Sequence, residues 1–336
     1  MPSQVLIQID DRSQVGEARR EAARMAESLA FEATQAGKVA LAVTEAATNI
    51  VKHAGSGKIL LAPLVRAARV GIEVLALDRG PGIANLSASL RDGYSTSGSM
   101  GAGLGALSRL SPVFDVYSQP GQGTALRLEI WGTPVVPATE RHLELGVVCL
   151  PKKGEEVAGD GWLLEPSGDY CTVLVVDGLG HGPNAARAAR AATDAFAAHP
   201  GATPAALMQI CHGALVATRG AAGAAARVAL AKSQGTFAGI GNIACRVEWT
   251  DARRQLVSHS GTLGHVMRRV QEFDFSFPAG ALLILHSDGL AGHWASADYP
   301  GLGSKHAGLI AGVLYRDHER GTDDVTVVVL KNMARV

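Results

Sequence analysis

Two sets of oxygen-bearing side chains could do chemistry in this chain. In the front half, Glu45 and Asn49 are four residues apart, then comes Asp78-Arg79-Gly80-Pro81-Gly82-Ile83, then a cluster of Gly101, Gly103 and Gly105. Asn49 can offer an amide oxygen to Mg2+, which takes few protein ligands and keeps waters and phosphate oxygens for the rest. Glu45, one helical turn away on the same face, can accept a proton. Asp78 at a strand end can accept a hydrogen bond from an exocyclic amino group. The glycines let the backbone come close to phosphates. In the rear half, acidic residues stand beside glycine or beside each other: Asp160, Asp177, Asp288, and Asp323 with Asp324. A carboxylate at a buried strand end is costly unless it is paired or binds a cation, and hard cations prefer oxygen. Each piece also has a plainer meaning. Glu45, Asn49 and His53 make a polar stripe of the kind that faces solvent, Gly80-Pro81-Gly82 is an ordinary turn signal, and for Asp160 a turn role stands beside the ligand role.

The elements that must position these residues follow from periodicity. Residues 5–9 alternate as a strand. Residues 14–33 and 38–53 carry apolar residues at helical spacing, with Gly37 as the expected break between them. Residues 59–65 and 70–77 read as strands, and the second delivers Asp78. Residues 104–110 read as a helix behind the glycine cluster, and 113–118 and 124–131 as a hairpin around Pro120-Gly121-Gln122-Gly123. Residues 132–140, with Pro134 and Pro137, read as a linker. Beyond it, strands are expected at 143–150, 161–164, 170–176, 227–231, 236–240, 245–249, 282–286 and 325–330, and helices at 184–198, 204–218 and 304–316. Asp177, Asp288 and the Asp323–Asp324 pair thus fall at strand ends. Asp177-Gly178-Leu179-Gly180-His181-Gly182 is no dinucleotide fingerprint, because its glycines have the wrong spacing and a carboxylate stands where pyrophosphate would approach.

Composition limits the partners. The 336 residues predict two domains, and 31 basic against 31 acidic residues give no charge surplus for nucleic acid or an anionic membrane. Four widely spaced cysteines read as buried thiols in a reducing compartment, and the N-terminus lacks the pattern of a signal peptide, so a cytoplasmic protein is expected.

The ordered front pieces, ending in Gly123-Thr124, resemble the Bergerat-type ATP-binding fold of histidine kinases, gyrase, Hsp90 and MutL. The likeness is closest to the RsbT type of small serine kinases in bacterial partner switches. There Asp78-Arg79-Gly80-Pro81-Gly82-Ile83, then Asp92-Gly93-Tyr94-Ser95-Thr96-Ser97, then the glycine lid match in order. The resemblance implies an α/β sandwich over residues 1–131 that binds ATP with Mg2+. Asn49 would hold the metal and Glu45 act as base. Asp78, with Gly80, Gly82 and Thr124, would hold adenine, and Gly101, Gly103 and Gly105 the phosphates. A histidine kinase is disfavoured, since one strand and one helix before the pocket leave no phosphoacceptor hairpin.

The rear pieces Ala158-Gly159-Asp160, Asp177-Gly178-Leu179-Gly180-His181-Gly182, Ser287-Asp288-Gly289-Leu290 and Thr322-Asp323-Asp324-Val325-Thr326 resemble the type 2C (PPM) metal-dependent protein phosphatases, in the SpoIIE/RsbX branch. This implies an αββα sandwich over residues 141–336 with two Mn2+ or Mg2+ ions. Asp177 would bridge both ions and the Gly178 carbonyl would bind one. Asp160, Asp288 and Asp323 would complete the set. Leu179 stands where larger members place a histidine proton donor, so leaving-group protonation is unexplained, and His181 reads as a loop residue. Together the resemblances imply a partner-switching regulator acting on Ser or Thr of a STAS-domain antagonist (RsbS/RsbR-like). The alternatives are a phosphatase with a nucleotide-sensing front domain, and a non-catalytic anti-sigma-type binding protein.

Overall fold

The computed structural model describes residues 4–66, 69–90, 103–133, 142–249 and 252–333. They fall into two compact units: residues 2–138 with 304–316, and residues 139–303 with 317–336.

The front unit begins with β1 (Val5–Ile9) and two helices, α1 (Arg12–Ser28) and α2 (Ala33–Asn49), the second extended by a π turn over Ile50–Ala54. The chain continues through β2 (Gly57–Arg66), β3 (Arg69–Asp78), the short α3 (Leu86–Ser89), α4 (Leu104–Leu110), β4 (Val113–Gln119) and β5 (Gly123–Trp131). The sheet order is β1-β2-β3-β5-β4, with every neighbouring pair antiparallel. Gly37 does not break the helices; it lies inside α2, where an added Cβ would meet nothing within 4 Å. The break comes earlier, where Ala30 takes a left-handed φ of 54° and Phe31 N–H bonds back to the Ala26 carbonyl. A single glycine costs a helix about 1 kcal/mol, which the buried row Val39, Ala42, Val43, Ala46 and Ala47 outweighs.

Alternation in β5 separates the sheet's two faces. Leu126, Leu128 and Ile130 join the core under α1 and α2, while Arg127 and Glu129 face the other way. That second face is covered by a helix from far along the chain, α7 (Ala307–His318), whose residues up to Arg316 pack with the front unit. Two glycines one turn apart permit the approach. A Cβ on Gly308 would lie 2.7 Å from Arg127 Nε and 2.9 Å from Glu73 Oε1, and one on Gly312 would lie 3.3 Å from a Leu77 methyl. Asp115 accepts from the His306 amide (2.9 Å) and Lys305 Nζ (3.2 Å), and Lys58 Nζ donates to the Tyr315 hydroxyl (2.9 Å).

Beneath α7, Arg127 bridges Glu73 and Glu129, and Arg66 donates to both Glu129 oxygens at 2.6 Å. Burial alone would push the Glu129 carboxyl up, but Arg127 and Arg66 outweigh it and hold the group at about 2, against an ordinary 4.5. A depressed carboxyl stabilises the fold fully above the unfolded value and loses that contribution as pH falls through the folded one. Acid unfolding between pH 4.5 and 2 should therefore cost about 3 kcal/mol through this residue. Melting temperature followed over that window should fall steeply for the wild type and less steeply for Glu129→Gln.

The rear unit holds two five-stranded sheets. One, in the order β13-β10-β9-β8-β7, is built from β7 (Asp160–Ser167), β8 (Tyr170–Gly178), β9 (Ala221–Ala229), β10 (Gln234–Ile240) and β13 (Phe273–Ser276). The other, in the order β12-β11-β14-β15-β6, uses β6 (Leu143–Leu150), β11 (Ala244–Trp249), β12 (Ala252–Leu256), β14 (Leu282–His286) and β15 (Val325–Asn332). Val173, Val175, Phe237, Val247, Leu283 and Val328 pack between them. Helices α5 (Pro183–Ala197) and α6 (Pro204–Ala214) cover the outer face of the first sheet through Ala188, Ala192, Phe196 and Leu207.

Candidate functional sites

In the front unit, the ends of α2 and β3 and the β4–β5 turn meet around Asp78. Gly57 pairs with Asp78 across β2 and β3, and a Cβ on Gly80 would lie 2.6 Å from the Ala54 Cβ at the end of the π turn. Asp78 Oδ1 accepts from the amides of Gly80 (2.8 Å) and Thr124 (3.1 Å), which fixes the carboxylate. Burial nevertheless pushes the Asp78 carboxyl up, against those two bonds and the charge of Arg316. Gly82 (φ 69°) and Gly123 (φ 84°) are required: a Cβ would meet the Gln119 and Asp78 carbonyl oxygens, each at 2.0 Å. Glu45 and Asn49 are both half-buried on α2, with Asn49 its last residue before the π turn. Gly103 precedes α4, and Gly105 is buried within it. Gly101 and residues 92–97 lie outside the described residues.

Sequence reasoning missed one residue here. Arg316, at the end of the buried part of α7, donates from Nη1 to the Asp78 carbonyl (3.2 Å), and Arg79 donates to the Arg316 carbonyl. Nothing in the sequence links positions 238 residues apart.

In the rear unit, strand register gathers the acids. Asp160 opens β7 directly across from Asp177 near the end of β8. Asp288 follows β14, and Asp323 and Asp324 precede β15 in the other sheet. Asp160 is buried and accepts from the Ser287 hydroxyl at 2.7 Å. Burial raises its carboxyl most, and the charges of Asp324 and Asp288 add to this against the hydroxyl bond. Burial likewise drives the Asp177 carboxyl up to about 8, helped by repulsion from Asp160, Asp288, Asp323 and Asp324. Asp288 is exposed and accepts from Asn242 Nδ2 at 2.8 Å. Asp324 is buried; its Oδ1 accepts from the Lys152 amide (2.8 Å), and its Oδ2 has no partner in hydrogen-bond geometry. Gly178 must be glycine, since a Cβ would lie 2.3 Å from the Ala185 carbonyl oxygen.

These residues suit a hard divalent cation. The donors are all oxygens and their charges repel. Among the described residues no three acidic, histidine or cysteine side chains stand close enough together to hold a metal ion as they are placed. Ser287 and Asp324 join the cluster beyond the expected ligands. Both sit inside motifs visible in the sequence, but only the strand pairing shows that Ser287 bonds to Asp160.

Residues 9–130 match the family model for the histidine kinase-like ATPase domain. Serine/threonine-protein kinase RsbT of Bacillus subtilis is 32% identical over 131 residues, covering 39% of this chain and 98% of RsbT. The chain belongs to the histidine kinase-like ATPase family. A solved chain of the bacterial stressosome is 29% identical with a TM-score of 0.53, over 57% of this chain and all of that one. The PP2C phosphatase domain of SpoIIE from Bacillus subtilis, solved with a fragment of its regulatory domain, is 15% identical with a TM-score of 0.51, over 81% of each chain. The rear unit has the PPM fold, two packed sheets with helices outside, and the front unit the Bergerat-type α/β sandwich. No helix among the described residues is long and apolar enough to cross a membrane.

Proposed function

We propose that this chain sets the phosphorylation level of a small antagonist protein, adding phosphate with its front half and removing it with its rear half. Both halves are enzymes in this reading, a protein serine/threonine kinase and a protein serine/threonine phosphatase. The observation that carries it is the carboxylate pair of buried Asp160 and half-buried Asp177, across from each other in one sheet, in the same chain as the amide-held Asp78 of an RsbT-like domain. In the front site Asn49 would hold Mg2+, Glu45 would take the hydroxyl proton, Asp78 would bind the adenine amino group, and Gly101, Gly103 and Gly105 would face the phosphates. In the rear site Asp177 and the Gly178 carbonyl, with Asp160, Asp288 and Asp323, would hold two Mn2+ or Mg2+. Those ions would activate water and offset the phosphate charge. The substrate class is a STAS-domain antagonist of the RsbS/RsbR kind, by analogy with RsbT, which is a partner-switch kinase in the resemblance above.

The test is a labelled-phosphate assay on a purified STAS-domain protein. ATP-dependent labelling should vanish with Asn49→Ala, and metal-dependent release of label should vanish with Asp177→Ala while surviving Asn49→Ala. Labelling unchanged by Asn49→Ala would sink the front assignment. One contact favours a second reading, in which the front pocket senses nucleotide instead of transferring phosphate: Arg316 of α7 bonds to Asp78 itself. Tight ATP binding without any labelling would select it.

A further inference from the structure

Hydrolysis of a phosphoserine needs a proton for the departing serine oxygen. A water-derived oxygen bonds to phosphorus, the bond from phosphorus to serine Oγ breaks, and its electron pair stays on Oγ. An alkoxide is a poor leaving group unless a positioned acid protonates it as the bond breaks. Leu179, in the loop directly after Asp177 and Gly178, has no proton to give, and its side chain is exposed.

The geometry points to His181 as that acid, with Glu155 as its positioning residue; this inference rests on the phosphatase reading above. His181 sits in the loop between β8 and α5 that begins at the Asp177 strand end. Its Nδ1 lies 2.6 Å from Glu155 Oε1, and its Nε2 makes no hydrogen bond among the described residues. A carboxylate on Nδ1 holds the ring's orientation and leaves Nε2 as the position from which a proton would be given. The pairing is built into the backbone. Gly182 has φ 73°, which favours glycine, and a Cβ there would lie 2.7 Å from Glu155 Oε2, so the turn brings the carboxylate close to the backbone beside His181. Glu155 belongs to the segment joining β6 to β7, anchored through its own amide to the Lys152 carbonyl (2.9 Å), and the Lys152 amide in turn bonds Asp324 (2.8 Å). The acid and the carboxylate cluster thus share one short run of hydrogen bonds.

Two nearby histidines do not serve. His286 is buried and turns Nδ1 onto the Ser287 carbonyl, and burial lowers its basicity. His265 bonds Nε2 to the Arg219 carbonyl. In the transfer, the Nε2 proton of His181 moves to serine Oγ as the bond to phosphorus breaks, and the neutral ring regains a proton from solvent. The products are serine and inorganic phosphate.

The experiment compares two substrates on the full chain loaded with Mn2+. p-Nitrophenyl phosphate releases a stable phenolate and needs no acid, whereas a phosphoserine peptide releases an alkoxide and does. His181→Gln should leave kcat on the aryl phosphate within roughly threefold of wild type and lower kcat on the peptide about a hundredfold. Glu155→Gln should lower the peptide rate alone, by roughly tenfold. The aryl rate also reports that each variant is folded and metal-loaded. Equal losses on both substrates, or no loss on the peptide, would overturn the role of His181. If the wild type turns over neither substrate, the phosphatase reading itself falls.

Discussion

Asp177→Asn should reduce metal-dependent phosphate release by about a thousandfold or more, because the ions it would hold supply several kcal/mol of transition-state charge stabilisation. The same substitution should raise the melting temperature of the metal-free protein. Asp177 is surrounded by four other carboxylates and largely withdrawn from water, and both effects drive its carboxyl up to about 8. An amide of the same shape keeps the strand pairing with Asp160 and is neutral without the proton that the folded protein must take up to neutralise Asp177. Mn2+ acts in the opposite way. At a hundredfold excess over Kd it should stabilise the wild type by about 2.7 kcal/mol, or roughly 5–10 °C for a unit of this size. The gain should be much smaller in Asp177→Asn. Differential scanning fluorimetry with and without Mn2+ checks both signs, and a metal-free Asp177→Asn protein that melts below wild type would contradict the account.

Gly308→Val should destabilise the front unit by about 3 kcal/mol or more, the loss expected when a buried ion pair is broken. The new Cβ would start 2.7 Å from Arg127 Nε and 2.9 Å from Glu73 Oε1, atoms that cannot retreat because Arg127 is only 1% exposed. Either α7 lifts from the sheet or the Glu73–Arg127–Glu129 pairing opens. A fragment of residues 1–138 should show a related defect, since it lacks the helix that covers Leu75 and Leu77. Its unfolding should be less cooperative in urea than that of the same unit within the full chain. A fragment with undiminished cooperativity, together with a Gly308→Val protein of wild-type stability, would show that α7 is dispensable. Gly312 offers a milder comparison, because a Cβ there would meet Leu77 and Leu75 methyls at 3.3 Å and 3.5 Å, within the range that side chains can absorb.

The two sites were legible to different depths. Asp78 could be placed at a strand end because β3 is a largely apolar run, interrupted by Glu73, that stops at a glycine-rich turn. The amides that hold its carboxylate come from Gly80, close in sequence, and from Thr124 on β5, which only the resemblance, and not spacing, sets beside it. The acidic residues of the rear half were visible for the same reason, as carboxylates beside glycine after apolar strands. Some elements were hidden. Residues 221–226 form the start of β9, though alanine and glycine are poor strand formers, because burial between β8 and β10 decides the matter. β12 and β13 are short edge strands whose ladders supply what their composition does not.

The sequence alone carries the acidic side chains at strand ends, the glycines where backbone must approach closely, and the order of elements that presents them. Those features are local, so spacing carries them. Tertiary structure alone decided three things. It placed Asp160 opposite Asp177, because register follows from pairing across β7 and β8. It brought Glu155 to His181, because the segment after β6 folds back over the loop after β8. And it took residues 304–316 into the front unit, where paired glycines and buried ion pairs give the helix a closer fit than its own sequence reveals.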